Sequence, residues 1–574
     1  MGIHKFVCDM NSKFRLKSLF PAAEWLKGYT LKTFASDSIA GVTLAAYAIP
    51  VSLAYAMLAG LPPQYGIYGY LLGGLFYAML GSGRQLAIGP TSAISLLIGT
   101  TIAGMANGDP QRWAEIASLT AIVFAFMSFL AYLLRLSGII NFISETVLLG
   151  FKAGAAVAIG LTQLPKLFGV PGGGENFFER IIAVISQLPQ TNLAVLIFGI
   201  SAIAVLIAGE KALPGRPVAI IVVIISIILV SLTSLGEEGF KTVGIIPSGL
   251  PQFRLPTLHI GDVKGIIPLA FACFLLAYIE SVSAARAIAR KNGYDIDARQ
   301  ELLALGAANL ATALGQGYPV SGGLSQSAVN EKAGAKTPLA LVLASVTIAF
   351  CLLFLTGLLK NLPNVILASV VLVAIRGLVD VKEFVHLWKF HRLDFLIAIV
   401  AFTGVIVFGI LEGVLIAAVM TLVLLIKSVS SPYVAFLGRI PGTNRYSDMV
   451  RHPDNQEIPG MLLFRVESSV LYFNAENLRK LIMARIQSLD GSLKTVIWDM
   501  STSPYVDREG AKIIMRLYQD LRNMGVVLRL AEAHAQVRDM LRAEDVEVLF
   551  GHISRKDSLD ELVRASLNEI TDNE

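Results

Sequence analysis

Two segments rich in small polar residues interrupt long apolar runs, one in each half of the sequence. The first is residues 86–99, LAIGPTSAISLLIG, and the second is residues 315–337, GQGYPVSGGLSQSAVNEKAGAKT. Non-helical backbone at membrane depth is tolerated only where protein buries it or where it lines a water-filled cavity. A matched pair of interrupted segments is typical of the binding site of a secondary transporter.

The residues that follow each interruption suit the binding of a small anion. Thr91 and Ser92 begin the first predicted half-helix, and Ser325, Gln326 and Ser327 begin the second. The first N–H groups of a helix are unpaired and its dipole is positive there, so such an end attracts anions. Two of these ends aimed at one point predict an anion site, to which the side chains add hydroxyl and amide donors. The alternative interpretation is that the small residues only allow close helix packing.

Glu280 is a carboxylic acid within a predicted membrane span. It lies on a stripe of mainly small residues at helical spacing, which comprises Ala270, Cys273, Ala277, Glu280, Ala284 and Ala287. Glu280 is therefore predicted to face neighbouring helices and not lipid. An ionisable group in a span costs about 3 kcal/mol or more and marks a functional site by default, here a carrier of a proton or cation. The alternative is a structural ion pair with Arg286, Arg290 or Lys291.

The other polar residues of the apolar region have plainer interpretations. Tyr47 and Tyr55 either line a cavity or pack against neighbours, and Lys152, Glu145 and Glu412 lie near predicted span ends, where snorkelling is expected. The sequence offers no Ser/His/Asp set, paired carboxylates or metal cluster. It therefore predicts a protein that is not an enzyme and that needs no cofactor or metal.

Composition places most of the 574 residues in a membrane, because 55% are hydrophobic, 16% are charged and the mean hydropathy is +0.65. The apolar character ends near Lys427. The part from Asn455 onward has a formal charge of −4 and the remainder has +9. A basic excess on a membrane region is a topology signal and not a nucleic-acid surface.

The three cysteines, Cys8, Cys273 and Cys351, have no metal-ligand spacing.

Fourteen membrane spans are predicted, in two sets of seven. They are residues 38–59, 65–80, 86–105, 114–134, 139–161, 192–209 and 217–235, then 265–288, 301–314, 320–331, 339–358, 363–378, 395–408 and 411–426. An odd number of spans in each half gives the halves opposite orientations, which is the inverted-repeat design. Basic residues concentrate in alternate loops, so both termini are predicted to be cytoplasmic. A basic, polar N-terminus argues against a cleaved signal peptide.

The C-terminal part has the pattern of a small α/β domain. Strands are predicted at residues 461–466, 470–473, 495–500 and 526–530, and helices at 475–489, 508–522 and 536–541. Ser558 and Glu561 have the spacing of a capping box that begins a final helix. The domain boundaries follow: a cytoplasmic N-terminal segment 1–37, a transmembrane domain 38–430, a linker 431–458 and the α/β domain 459–570.

Four motifs, in this order along the chain, resemble the SulP anion-transporter (sulfate permease) family, whose animal branch includes pendrin and prestin. The motifs are IPVSLAYAMLAGLPPQYGIYG at 49–69, LAIGPTSAISLLIG at 86–99, YIESVSAARAIARKNGYDIDARQELLALGAANL at 278–310 and GGLSQSAVNEKAGAKT at 322–337. TVIWDMSTSPYVDREG, at 495–510, is similar to the signature of the STAS domain that follows in that family. The resemblance implies seven-plus-seven inverted repeats divided into core and gate domains, a cytoplasmic STAS domain and a homodimer.

The resemblance also implies residue roles. Glu280 matches a carboxylate linked to proton coupling in plant sulfate transporters and lies near the sodium-site carboxylate of bicarbonate carriers. Many relatives have arginine at the position of Gln326, and many STAS domains have a phosphorylatable serine after the position of Asp507, which is followed here by Arg508. The anion site implied by the family comprises Val51, Tyr55, Thr91, Leu324, Ser325 and Gln326.

These observations predict a secondary transporter of inorganic anions in the cell inner (plasma) membrane. Sulfate is the expected substrate, carried by proton symport through an elevator-like movement of the core past the gate. Sodium-coupled bicarbonate uptake, anion exchange and a passive anion channel or voltage-responsive motor are alternatives. A nucleobase–proton symporter shares the fold, but its sites usually have carboxylates that read ring N–H groups, whereas the half-helix here has serine and glutamine.

Overall fold

A computed structural model describes residues 21, 25, 28–106, 109–138, 145–174, 176–212, 218–233, 240–489, 493–551, 553–554 and 557–572. Most of the predicted N-terminal segment 1–37, and residues 139–144 of the fifth predicted span, lie outside these residues. The chain divides into two compact units, Met1–Thr421 and Leu422–Glu574.

The first unit is almost entirely helical. Its helices are α1 (Leu31–Leu58), α2 (Gln64–Leu80), α3 (Ser92–Ala106), α4 (Pro110–Leu133), α5 (Glu145–Phe168), α6 (Phe177–Gln187), α7 (Leu193–Ala212), α8 (Val218–Leu232), α9 (Val263–Asn292), α10 (Ala298–Leu314), α11 (Leu324–Lys332), α12 (Leu339–Phe354), α13 (Asn364–Ile375), α14 (Val381–Phe390), α15 (Arg392–Phe408) and α16 (Ile410–Ser430). The helix ends have ordinary local causes. Asp109 and Asp297 accept N–H bonds at the starts of α4 and α10, and Gly293 ends α9 in the left-handed conformation.

Among the described residues, six helical stretches are long and apolar enough to cross a membrane. They are Leu31–Leu58, Pro110–Leu133, Glu145–Phe168, Leu193–Ala212, Val263–Asn292 and Asn364–Phe390. Other predicted spans, such as those at α3, α8 and α12, are shorter apolar helices. The count of fourteen spans therefore stays a prediction. In the basic loop after α13, where no helix is predicted, the structure has the amphipathic helix α14.

The helices of the first unit form two packed groups. In one, α1, α2, α3, α4, α9, α10, α11 and α12 contact one another, and in the other α5 packs on α13 and α15, and α7 packs on α13 and α8. Small residues allow close approach of the backbones. At Gly150 of α5, for example, an added Cβ would lie 1.9 Å from the carbonyl oxygen of Ala398 in α15. The two groups meet where α13 and α8 contact α1 and where α5 contacts α3.

Two short strands join the halves of the chain inside the first group. Strand β1 (Ile88–Gly89) precedes α3, strand β2 (Ser321–Gly322) precedes α11, and the two pair antiparallel with Ile88 opposite Gly322. Each predicted span at these places, 86–105 and 320–331, is thus a strand followed by a helix. Gly89 is required here, because a Cβ on it would lie 2.3 Å from the ring of Tyr70. The interruptions detected in the sequence are therefore a paired element of the fold.

The second unit is a five-stranded sheet with helices. Its strands are β3 (Val434–Arg439), β4 (Tyr446–Asp448), β5 (Met461–Val466), β6 (Thr495–Asp499) and β7 (Val527–Ala531), in the order β4-β3-β5-β6-β7. Strands β5, β6 and β7 are parallel, and β3 is antiparallel to β4 and β5. The helices are α17 (Ala475–Gln487), α18 (Arg508–Asn523), α19 (Ala535–Ala543), α20 (Glu547–Phe550) and α21 (Leu559–Asp572).

Two sequence predictions for this unit differ from the structure. Residues 431–458, predicted as a linker, contain β3 and β4, because β3 completes its backbone hydrogen bonding by pairing with β5. Residues 470–473, predicted as a strand, have only an isolated bridge between Val470 and Val506. The capping box is confirmed, since Ser558 and Glu561 exchange hydrogen bonds between each side chain and the other residue's N–H.

Candidate functional site

A cavity of about 290 Å³ lies where the two groups of helices of the first unit meet, and we name it the Glu280 cavity. Its lining residues are Tyr47, Val51, Tyr55, Pro90, Thr91, Ser92, Lys152, Glu280, Ser283, Ala284, Ala287, Gly323, Leu324, Ser325, Gln326, Ala374, Gly377 and Leu378. Eight of the site residues named from the sequence are among them, and Ser327 is not: Val51, Tyr55, Thr91, Ser92, Glu280, Leu324, Ser325 and Gln326. They come from α1, the start of α3 with the preceding Thr91, α9 and α11, so the fold brings four separate stretches of chain to one place.

The strand pair delivers both half-helices to this cavity. Thr91 follows β1, and its carbonyl accepts the first helical bond of α3 from Ser95 N at 2.9 Å. Gly323 follows β2, has extended backbone and receives no side-chain cap, and its carbonyl accepts from Ser327 N at 3.0 Å. The N–H groups of the first turn of α11 therefore have no helical partner. Thr91 and Ser325 line the same cavity, as the two-ended anion site requires.

Ser321 in β2 connects Glu280 to the first half-helix. Its hydroxyl lies 3.1 Å from Glu280 Oε2 and 3.2 Å from Thr91 Oγ1, and it can donate to either. Ser321 is fully buried, and the neighbouring Gly322 N–H is held by Ser281 Oγ at 2.7 Å. A rigid strand thus fixes one hydroxyl between the acid and a residue of the anion site. Ser321 is not among the site residues predicted from the sequence, although it lies in the second interrupted segment.

Glu280 faces protein, as its stripe of small residues predicts. Its carboxylate is part-buried and hydrogen-bonded to Ser321. The alternative ion pairs are not observed among the described residues: Lys291 instead pairs with Glu331 at 2.9 Å. Glu280 is thus held by neutral hydroxyl groups in a cavity and is available for a change of charge.

Gln326 lines the cavity, but its amide group belongs to the scaffold. Its Oε1 accepts from Tyr70 OH at 2.6 Å, and its Nε2 donates to the carbonyl oxygens of Ala87 and Ser321 at 3.0 and 3.1 Å. The amide therefore ties α11 to α2, to the residue before β1 and to β2. This differs from the expectation that the amide adds a donor for the anion.

Ser327 also belongs to the scaffold. It is fully buried, donates to Gly323 O at 2.7 Å and accepts from Ala87 N at 2.9 Å. The expectation that its hydroxyl faces the anion site is wrong, because a serine one turn into the helix bonds back to the carbonyl four residues earlier. In contrast, the side chain of Ser325 is exposed in the cavity.

Lys152 lines the Glu280 cavity from the other group of helices. Its side chain lines the cavity, about two turns into the described part of α5, and this differs from the interpretation that it snorkels near a span end. Lys152 and Glu280 thus line one cavity, from α5 and from α9. The surrounding sequence, GFKAGAA at 150–156, has small residues next to the lysine. That pattern, the same as around Glu280, is the signal that could have identified it.

The family model described as the sulfate permease family matches residues 34–401, and that of the STAS domain matches residues 452–559. The first match covers more than half of the chain and includes every residue of the Glu280 cavity. The chain belongs to the sulfate permease family. Its second unit contains the STAS domain of this family member.

Curated relatives match over nearly the whole of this sulfate permease family member. The high affinity sulfate transporter 1 of Stylosanthes hamata is 33% identical over 93% of this chain and 84% of its own length. A protein of Mycobacterium tuberculosis described as a probable sulfate transporter is 30% identical over 91% of this chain and 93% of its own length. These relatives are transporters, so transport of inorganic anions is the activity of the family.

Solved structures show the same fold at lower sequence identity. The murine anion transporter Slc26a9, in its inward-facing state, matches with a TM-score of 0.88 at 23% identity, over 97% of this chain and 96% of its own. The transmembrane domain of the cyanobacterial bicarbonate transporter BicA matches with a TM-score of 0.59 at 22% identity, over 68% of this chain and 98% of its own. The polytopic helical fold followed by a STAS domain is therefore that of the family.

Proposed function

We propose that this chain carries sulfate across the inner (plasma) membrane by symport with protons. The observation that supports this most is the meeting of two helix starts and one carboxylic acid in the Glu280 cavity. The curated relatives named above are described as sulfate transporters. The anion is the partner that the helix starts attract, and the proton is the partner that Glu280 binds.

The anion binds between the starts of α3 and α11. The hydroxyl groups of Thr91, Ser92 and Ser325 and the free N–H groups of the first helical turns supply donors, and the two helix dipoles supply positive potential. Tyr55, Val51 and Leu324 complete the lining and set its size. These donors are neutral, so they hold an anion with little cost from desolvating a fixed charge.

Glu280 couples the proton to the anion through charge. An ionised carboxylate in the cavity repels an anion, whereas a protonated one does not, so the anion and the proton bind together. Ionised Glu280 accepts a hydrogen bond from the Ser321 hydroxyl. Protonated Glu280 can instead donate to Ser321, which leaves the Ser321 hydroxyl free to donate to Thr91. The other titratable groups that line the cavity are Tyr47, Tyr55 and Lys152.

Transport follows from movement between the two groups of helices. Glu280 and the anion-binding residues all lie on the first group, while Lys152 and Ala374 line the cavity from the second. An elevator-like movement of the first group carries the anion and the proton together past the second. In this proposal the first group is the core, the second is the gate, both termini are cytoplasmic and two chains form a homodimer.

Uptake into proteoliposomes tests the proposal. Purified full-length protein is reconstituted, and labelled sulfate or bicarbonate is supplied under an imposed proton or sodium gradient. Sulfate uptake driven by external acid is the expected result. Bicarbonate uptake that requires sodium overturns the proposal in favour of the bicarbonate carrier, and gradient-independent flux of either anion favours exchange or a channel.

A further inference from the structure

We propose that Lys152 is a further anion-binding residue, which supplies from the second group of helices the positive charge that the helix starts lack. This inference deepens the proposed function and rests on it. The start of α11 has no cation of its own, because Leu324, Ser325 and Gln326 are neutral. The three hydrogen bonds of the Gln326 amide go to the scaffold.

The position of Lys152 supports this role. Its side chain is part-buried and lines the same cavity as Thr91, Ser325 and Glu280. Of the described residues that line this cavity, Lys152 is the only lysine or arginine. No ion pair or hydrogen bond of its ammonium group is found among the described residues, so its three donors are available to a ligand.

The charge balance of the cavity supports it as well. With Glu280 ionised, the cavity lining carries one negative and one positive charge, and opposite charges in one cavity attract each other. When Glu280 is protonated, the Lys152 charge is no longer balanced and attracts the anion instead. Lys152 thus favours anion binding when Glu280 is protonated, the state in which Glu280 does not repel the anion. A dianion gains more from this charge than a monoanion, since the Coulomb energy is proportional to the charge.

Because Lys152 lies on α5, its distance from the anion depends on the transport state. Lys152 belongs to the group of helices that packs as α5, α13 and α15, whereas the half-helices belong to the other group. Movement of one group past the other changes the distance from the ammonium group to the anion. Lys152 therefore binds the anion in the state described here and leaves it as the site moves away.

The test compares three lysine variants in purified full-length protein. Lys152→Met removes the charge and keeps the length, Lys152→Arg keeps the charge, and Lys166→Met is the matched control, because Lys166 lies on the same helix outside the cavity lining. The KM for sulfate and for bicarbonate is measured in proteoliposomes. The rise in thermal unfolding temperature with each anion is measured in detergent, where anion binding stabilises the protein without transport.

Lys152→Met is expected to raise the KM for sulfate about ten-fold, which corresponds to about 1.4 kcal/mol. For bicarbonate, with half the charge, about half that energy and about a three-fold rise are expected. Lys152→Arg is expected to keep most of the affinity, and Lys166→Met all of it. Three results overturn the inference. They are an unchanged KM for sulfate in Lys152→Met, an equal loss of sulfate affinity in Lys152→Arg, and the same loss of affinity in Lys166→Met.

The design separates this inference from the proposed function. If the unmodified protein binds bicarbonate but not sulfate, sulfate symport fails, and Lys152 is judged by its effect on bicarbonate stabilisation. If neither anion raises the unfolding temperature of the unmodified protein, both proposals fall. If Lys152→Met does not fold, Lys152→Gln and Lys152→Arg are compared by how much sulfate raises their unfolding temperatures. We expect sulfate to stabilise Lys152→Arg but not Lys152→Gln.

Discussion

The hydroxyl group of Ser321 lies 3.1 Å from the Glu280 carboxylate and is fully buried. The same oxygen lies 3.2 Å from the hydroxyl of Thr91, at the start of α3. One serine side chain therefore bridges the acid and the anion-binding end of a helix. Because a hydroxyl has one proton to donate, its direction depends on whether Glu280 is ionised.

Glu280→Gln is expected to abolish acid-driven uptake of sulfate and to leave anion exchange in place. Glutamine keeps the size and a hydrogen bond to Ser321, but it cannot take up or release a proton. Uptake is measured in proteoliposomes with and without an inward proton gradient, and exchange is measured with sulfate on both sides.

Glu412→Gln is the control, since Glu412 is an exposed carboxylate of α16 that does not line the Glu280 cavity. It is expected to retain acid-driven uptake. If Glu280→Gln takes up sulfate in response to acid as the unmodified protein does, Glu280 has no part in coupling.

Ser321→Ala is expected to weaken the response of uptake to the proton gradient while anion exchange continues. The change removes a hydrogen bond to a charged group, worth about 1.5–3 kcal/mol, so the acid-driven rate is expected to fall about ten-fold or more. The measurement is the ratio of acid-driven uptake to exchange in the same proteoliposome preparation.

Ser95→Ala provides the matched control. Ser95 is also fully buried and bonds to a hydroxyl, that of Tyr318 at 3.0 Å, but it does not line the cavity. A general cost of removing a buried hydroxyl affects both variants equally. An unchanged ratio in Ser321→Ala, or an equal fall in Ser95→Ala, contradicts the bridging role.

The local chemistry of glycine, proline and serine made the two interrupted segments predictable. Glycine and proline disfavour a continuous helix where they cluster with polar residues in an apolar run, so the matched pair at 86–99 and 315–337 is visible without any knowledge of the fold. Glu280 was identifiable for a similar reason, because a charge in an apolar run needs an explanation. The structure then brings Glu280 and the residues named at the two helix starts, except Ser327, to one cavity.

Lys152 and Gln326 could not be assigned correctly from the chain alone. Whether Lys152 points to a cavity or to a lipid headgroup depends on which side of α5 meets the first group of helices, which is a tertiary property. Whether the amide of Gln326 faces the anion or the scaffold depends on Tyr70 and Ala87, which lie more than 200 positions earlier in the sequence. Strand β3 was also missed because it depends on a distant partner: β5, with which it pairs, begins 27 positions after β3 does.

Ser325→Leu is expected to raise the KM for sulfate about ten-fold or more, that is, to cost at least about 1.4 kcal/mol of binding. Leucine at the exposed second position of α11 fills the space in front of the free N–H groups. The KM for sulfate is measured in proteoliposomes, together with the amount of folded protein recovered.

Ser325→Ala separates the two contributions of this residue. Alanine removes the hydroxyl but leaves the N–H groups accessible, so only the loss of one donor is expected, about 1 kcal/mol or about five-fold in KM. An equal effect of alanine and leucine shows that the hydroxyl, and not access to the helix start, carries the affinity. Unaltered KM in both variants removes α11 from the anion site.

Gln326→Ala is expected to lower the stability of the protein much more than its affinity for the anion. The change leaves Tyr70 OH and the carbonyl oxygens of Ala87 and Ser321 without their partner, and each buried polar group left unpaired costs about 1–3 kcal/mol. Thermal unfolding in detergent is compared with the KM for sulfate in the protein that remains folded. Gln326→Glu keeps the hydrogen bond from Tyr70 but loses both amide donors. Its loss of thermal stability is therefore expected to be smaller than that of Gln326→Ala. If Gln326→Ala unfolds at the unmodified temperature and raises KM, the amide faces the anion and not the scaffold.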